Sequence, residues 1–373
     1  MTQKTPATDL LDTLAEIAAD SALAAARNTR DAATEHTQGS YQALFAADGT
    51  ASFPLTARLK IAQQIARWHG DTLLAEHYAA ELTSAGDKYS IADEKLQAAF
   101  SHAERLSFKP ANATPEHLWA LQASGWSTDA IVTLSQLIAF VSFQSRLVRG
   151  YRLIGDKPVA DNGHTAAVAG VWRTDRKTQS GNRAPLAFTQ EELNWEPWLP
   201  AKALTEFSAS QQATLARFGH TDSDYFRLLA RDLPVLEQRT LTDKGIFYTA
   251  GGLPRKEREL AAAVASKVNG CIYCASVHAR KAAQLSKQPD AVQRLLDVQP
   301  GGVLSVGQDA RWQAEIDFSA ALSATPPTAN AADISRLRQA GLSDLELLDL
   351  VQATAFFAWA NRLMLTIGEP FEK

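Results

Sequence analysis

The sequence predicts an all-α protein built as a tandem duplication of one helical unit. Three observations carry that expectation. Apolar residues recur at three- and four-residue steps along most of the chain, alternating strand-like runs are nearly absent, and two stretches align with each other. GWSTDAIVTLSQLIAFVSFQSRL, from Gly125, matches GLSDLELLDLVQATAFFAWANRL, from Gly341, without gaps. Identities fall at Gly125/Gly341, Ser127/Ser343, Leu134/Leu350, Gln136/Gln352, Ala139/Ala355, Phe140/Phe356, Arg146/Arg362 and Leu147/Leu363. A weaker match upstream sets the stretch from Leu55 beside the stretch from Leu253, aligning Gly70 with Gly270.

Taken in order, Leu10, Leu11, Leu14, Ile17, Ala18 and Leu23 form the stripe of an N-terminal amphipathic helix. Similar stripes predict helices over Leu55–Trp68, Thr72–Leu82, Ala92–Leu106 and Ser127–Arg149. From Gly155 to about Pro200 the density of Gly, Pro, Asn and Asp predicts a linker. Its tryptophans, Trp172, Trp195 and Trp198, predict that it packs along a surface of its own chain or of a partner. Helices are expected again from near Ala203, through Tyr225–Leu229, Leu253–Val268, Cys271–Leu285, Ala310–Leu322 and Ser343–Ile367. The domain reading is therefore a cysteine-free helical domain over 1–155, a linker or wrapping segment over 156–200, and a second helical domain over 201–373. A chain of 373 residues suits two domains on the usual scale of about 100–200 residues each.

Composition narrows the function. With 46% hydrophobic and 21% charged residues the chain is not disordered, and a net charge of −4 without a basic excess argues against nucleic-acid binding. The longest apolar run, around Ile131–Val141, carries Thr133, Ser135 and Gln136 and reads as a buried helix rather than a membrane span. Asp9, Asp12 and Glu16 interrupt any signal-peptide core, so the expected location is the cytoplasm.

The chemistry gathers in one segment, Glu259-LAAAVASKVNG-Cys271-Ile-Tyr-Cys274-Ala-Ser-Val-His278. Cys271 and Cys274 are the only cysteines in the chain, and in a reducing compartment that spacing points to redox chemistry or metal binding. Asn269-Gly270 is a helix stop, so the next helix is expected to begin at Cys271, where unpaired N–H groups and the helix dipole favour a thiolate. Helical spacing puts Cys274 and His278 on the same face, and the imidazole can take or return a proton there. Glu259, folded back from the preceding helix, can orient His278 or carry a second proton; its bland alternative is a solvated helix carboxylate. The internal alignment places Asp71, Leu74 and Tyr78 opposite Cys271, Cys274 and His278, so only the second unit is equipped. A zinc site using Cys271, Cys274, His278 and one distant ligand is a rival, although no second CxxC or HxxxH pair exists. The histidines at 36, 69, 77, 102, 117, 164 and 220 read as surface or capping residues, and Gly251-Gly252 as a turn.

These residues resemble the AhpD-like, or carboxymuconolactone decarboxylase (CMD), superfamily, and within it the peroxidase-related, alkylhydroperoxidase-domain branch. The carriers are Glu259 twelve residues before Cys271, the VNGC turn, the CxxC, and His278 four residues after Cys274. Phe188–Ile367 carries the resemblance well, and Met1–Gly155 is similar to a second, cysteine-free unit of the CMD type. The resemblance implies an all-α fold, homo-oligomers, and thiol-dependent reduction of organic or hydrogen peroxide. Cys271 and Cys274 would form the redox pair, with His278 and Glu259 in the proton relay and an unnamed thiol or dithiol as reductant. Neither cofactor nor metal is expected, nor a nucleic-acid or membrane partner. A fused pair predicts a trimer in place of a six-unit ring, with a dimer as the alternative. Tyr273 departs from the family, which has histidine at that position in AhpD proper, leaving a shorter relay or one that uses tyrosine. Other outcomes remain open: a thiol-disulfide oxidoreductase or redox sensor without peroxide turnover, and a zinc-holding assembly module.

Overall fold

A computed structural model describes residues 9–46, 52–85, 91–163 and 167–373; His164 lies outside them. The architecture is helical, with one two-stranded antiparallel sheet among the described residues. At the centre the helices Thr128–Ile154 and Asp344–Thr366 pack along each other, nearly every residue of both buried. The first is long and apolar enough to cross a bilayer by composition, yet 94% of its most apolar stretch is buried against neighbours, as in the core helix of a bundle. Gly150 makes the crossing close: a Cβ there would lie 2.4 Å from a methyl of Val351.

The duplication is visible as side-chain bonds. Arg146 donates to the carbonyls of Ser323 (3.0 Å) and Ala324 (2.8 Å), while Arg362, its counterpart in the internal alignment, donates to the carbonyl of Ser107 (3.0 Å). The register that pairs Gly125 with Gly341 also pairs Ser107 with Ser323, so each guanidinium caps the equivalent helix end in the opposite unit. The Gln136/Gln352 pair behaves alike: Gln136 accepts from Trp359 (2.8 Å) and Gln352 donates to Tyr151 (3.1 Å). These bonds cross between halves, as do the buried contacts of Arg30 with Asp349 at 2.7 and 2.9 Å. The two halves therefore share an interlocked core.

Expected helices appear at Leu55–Trp68, Thr72–Ala85, Asp93–Phe108, Asp224–Leu229, Arg255–Asn269, Ile272–Ser286 and Ala310–Ser323. The N-terminal stripe does not form one helix. It breaks into Leu10–Leu14 and Ala22–Thr29, because Glu16 takes a positive φ and the Ser21 side chain caps a fresh helix through Ala24 N. Five further helices are present that the sequence reading does not include: Asp31–Leu44, Pro115–Ala123, Leu233–Phe247, Pro289–Asp297 and Ala331–Gln339; of these, Pro289–Asp297 does carry an apolar stripe, Ala291, Val292, Leu295 and Leu296. Asp31–Leu44 and Leu233–Phe247 pack against each other, with Gly245 so close that a Cβ would sit 2.5 Å from the Ala33 amide nitrogen. Their polar sequences are helical because of that tertiary contact.

The 155–200 segment wraps its own chain, as its tryptophans imply, but it is not wholly irregular. Leu193–Pro197 pairs with Gly368–Glu372, in register Leu193↔Glu372, and Trp195 donates to the Met364 carbonyl at 3.2 Å. Five residues are too few to show an alternation in sequence. The histidines also divide differently from the surface reading. His69 and His102 are buried, and burial holds the latter's pKa down to about 3.

Asp349 accepts from Arg30 and from the Leu253 amide (2.9 Å) with no exposure of its own side chain. Removing one member of a buried ion pair costs about 3–5 kcal/mol, because the other charge is left unpaired. Asp349→Ala should therefore lose about that much in urea denaturation, and a loss below 1 kcal/mol would show the halves are held elsewhere.

Candidate active site

Gly270 ends the Arg255–Asn269 helix with φ +76°, and Cys271 is the N-cap of the next helix, Ile272–Ser286. The thiol helix thus starts one residue later than the sequence implied. Glycine is required twice over at 270: beyond its φ, a Cβ would lie 2.1 Å from the Val171 carbonyl oxygen, which the wrapping segment lays across the turn. Both cysteines are free thiols and both are buried, Cys271 at 1% and Cys274 at 5% exposure. Cys271, although it stands at the helix start, is the more enclosed of the two, because the wrapping segment and Asn361 of the central helix close over the turn.

Burial and the neighbouring sulfur push the Cys271 thiol well above its ordinary range. Burial acts the same way on Cys274, but it is outweighed there. The Cys271 S–H bond donated to it, the charge of His278, the Asn361 amide and Arg239 together leave the Cys274 pKa lowered. Two sulfurs on one turn have become one donor and one incipient thiolate. Asn361 comes from the C-terminal central helix and is held in place at both ends, accepting from Asn269 Nδ2 (3.0 Å) and donating to Ser266 Oγ (3.0 Å).

The acid and the imidazole meet. His278 Nδ1 lies 2.5 Å from Glu259 Oε2, and Arg255 Nε donates to Glu259 Oε1 at 2.5 Å. The Glu259 side chain is 2% exposed, which rules out the solvated-carboxylate reading. His278 and Arg255 hold its pKa below the usual carboxylate value although burial pushes the other way. Glu259 thereby fixes Nδ1 and leaves Nε2 for other chemistry, the arrangement that sets an imidazole tautomer. Phe357 meets the ring edge-on at 4.3 Å and Phe247 flanks it at 5.9 Å. Among the described residues no hydrogen bond joins His278 to either sulfur; its influence on Cys274 is through charge.

Three contributors were not singled out by the sequence. Arg239 is buried, 5.1 Å above the Phe356 ring, and its Nε has no hydrogen-bond partner. Asp243 lies within the fields of Arg239, His278 and Glu259, with its pKa raised chiefly by burial. Both sit on the Leu233–Phe247 helix, which had no apolar stripe to announce it. Asn361 could have been noticed only as the residue opposite Ser145 in the internal alignment. Tyr273 lies close enough for both cysteines to raise its pKa, after burial. Among the described residues no three His, Cys, Asp or Glu side chains converge in the way a metal site requires.

With that geometry in place, comparison with known proteins is informative. Residues 234–299 match the carboxymuconolactone decarboxylase family, a span that contains Glu259, Cys271, Cys274 and His278. No curated protein matches the chain. Among solved structures, it is similar to the alkylhydroperoxidase AhpD core of an uncharacterized peroxidase-related protein from Ralstonia eutropha JMP134. That match has 22% identity and a TM-score of 0.36, and covers 44% of this chain and 86% of that one. A second, an uncharacterized peroxidase-related protein from Silicibacter sp. TM1040, has 23% identity and a TM-score of 0.37 over 46% and 92% of the two chains.

The two thiols should differ sharply in reactivity. In Cys271→Ser the serine hydroxyl still donates, so Cys274 should alkylate with iodoacetamide at a pH below the ordinary thiol value of 9.0. In Cys274→Ser, Cys271 should resist until well above it. Equal rates in the two variants would contradict the donor–thiolate assignment.

Proposed function

Taking the match of residues 234–299 to the carboxymuconolactone decarboxylase family as premise, we propose that this chain is a thiol-dependent peroxidase cycling between the Cys271/Cys274 dithiol and its disulfide. The observation that carries the reading is a pair of buried free thiols, Cys271 and Cys274, at the start of one helix within the field of His278, whose ring Glu259 holds at 2.5 Å. The solved structures named as peroxidase-related proteins agree with it in name.

In the proposed cycle the Cys274 thiolate attacks the terminal oxygen of a hydroperoxide. An S–O bond forms, the O–O bond breaks, and the alkoxide leaves as alcohol with a proton from His278. Because no hydrogen bond joins the ring to sulfur, that proton passes to the departing oxygen directly or through one water. Cys271, having given up its proton, attacks the Cys274 sulfenic acid; the S–S bond forms and the S–O bond breaks, releasing water. An external dithiol then returns two electrons and two protons. Glu259 is a positioning residue here, holding the imidazole through Nδ1. Arg239 adds positive charge near the developing thiolate.

A second reading, a thiol-disulfide oxidoreductase or redox sensor without turnover, is favoured by the near-complete burial of both sulfurs. Cumene hydroperoxide consumption with dithiothreitol separates the two. Wild type should turn over many times and Cys274→Ser not at all, while Glu259→Gln and His278→Gln should fall by roughly 10²- to 10⁴-fold. A single equivalent consumed, followed by a stable disulfide, would leave only the sensor.

We also propose a homo-oligomer. The chain already pairs two like units internally, and Tyr248 and Val306, at 73% and 69% exposure, leave apolar surface for further contacts. Sedimentation equilibrium at micromolar concentration should return three times the chain mass; a monomer refutes the proposal.

A further inference from the structure

Buried arginines in this chain are tied down, with one exception. Among the described residues each of the others donates to a backbone carbonyl or a carboxylate, as Arg146 does to Ser323 and Arg30 to Asp349. Arg239 does neither. Its guanidinium, at 6% exposure, makes no hydrogen bond or ion pair among the described residues. It lies instead among the rings of Phe356 (5.1 Å), Trp359 (5.8 Å) and Tyr225 (6.0 Å). Asp243, one turn along the same helix, balances part of the charge without forming an ion pair.

A second idle donor stands beside it. Tyr225, on the Asp224–Leu229 helix, is partly exposed as a residue, yet its hydroxyl is buried and has no hydrogen-bond partner, so the side chain points inward. Trp195 packs edge-on against its ring at 5.3 Å. Arg239, Cys274, Cys271 and Tyr273 all lie close enough for their charges to act on the phenol, and burial raises its pKa, which keeps it a donor. An unpaired buried hydroxyl lowers stability, and an unpaired buried cation lowers it further, so folding explains neither group. Both lie within range of Cys274 and neither bonds to sulfur. The acceptor they lack belongs on an atom that reacts with that sulfur.

We propose that Tyr225 and Arg239 form an oxyanion site for the oxygen expelled when Cys274 attacks a hydroperoxide, which makes Tyr225 a further catalytic residue. The inference rests on the peroxidase reading. As the S–O bond forms and the O–O bond breaks, the electron pair of the broken bond passes to the oxygen that carries the organic group. The hydroperoxide hydrogen stays on the other oxygen, which becomes the hydroxyl of the sulfenic acid. The phenol O–H and a guanidinium N–H donate to the alkoxide, and His278 supplies the proton that turns it into alcohol. Donors fixed in advance where charge develops stabilise the transition state more than the neutral substrate.

Two reactions of Cys274 in a Cys271→Ser background test this, both read as loss of free thiol. Oxidation by cumene hydroperoxide expels an oxyanion, and alkylation by iodoacetamide does not. Adding Tyr225→Phe, which deletes a hydroxyl that bonds to nothing, should slow oxidation roughly tenfold or more and leave alkylation within about twofold. Arg239→Lys keeps the charge without the planar fork, so oxidation should again slow while alkylation stays within about twofold; Arg239→Met should slow both. An oxidation rate unchanged by Tyr225→Phe, or an equal fall in both reactions, would overturn the inference and leave the peroxidase reading standing. Wild-type thiols inert to cumene hydroperoxide would end that reading as well.

Discussion

Everything in this molecule is hung on the crossing of its two central helices. Thr128–Ile154 and Asp344–Thr366 approach so closely that Gly150 admits the Val351 side chain where another residue would place a Cβ. That contact sets the spacing of two equivalent rows of side chains. One row presents Phe357 and Asn361 to the thiol turn, and the other presents Ser145 and Arg149 to a cavity in the N-terminal half. Arg146 and Arg362 brace the same crossing by gripping helix-end carbonyls in opposite halves. Each half is the other's packing partner within one chain.

From common scaffolding the halves diverge at a handful of positions. In the second unit Cys271 and Cys274 occupy the turn, and burial, which ordinarily discourages thiolates, is overridden at only one of them. The override is local: a neighbouring S–H, an amide fixed by two hydrogen bonds, and charges from His278 and Arg239. In the first unit the equivalent turn carries a carboxylic acid, and the space that thiols and aromatic rings fill elsewhere stays open.

How far this was readable beforehand depends on where each interaction lies in sequence. Glu259, Cys271, Cys274 and His278 fall within twenty residues, so helix periodicity and the Gly270 stop were enough to group them. Arg239 and Asp243 were hidden because their helix owes its form to packing against Asp31–Leu44 rather than to an apolar stripe. The Leu193–Pro197 strand was hidden because its partner lies at the other end of the chain. The enclosure of Cys271 is hidden for a similar reason, since the segment that covers its turn lies about a hundred residues away in sequence.

The sequence by itself determined the helical class, the internal repeat and the identity of the half that holds sulfur, since periodicity, self-similarity and residue type are properties of the chain alone. Only the tertiary structure decided which sulfur is disposed to ionise, that Glu259 is buried against His278, and that the halves interlock. Proton affinities depend on burial and on charges brought from remote segments, and no spacing along a chain records those.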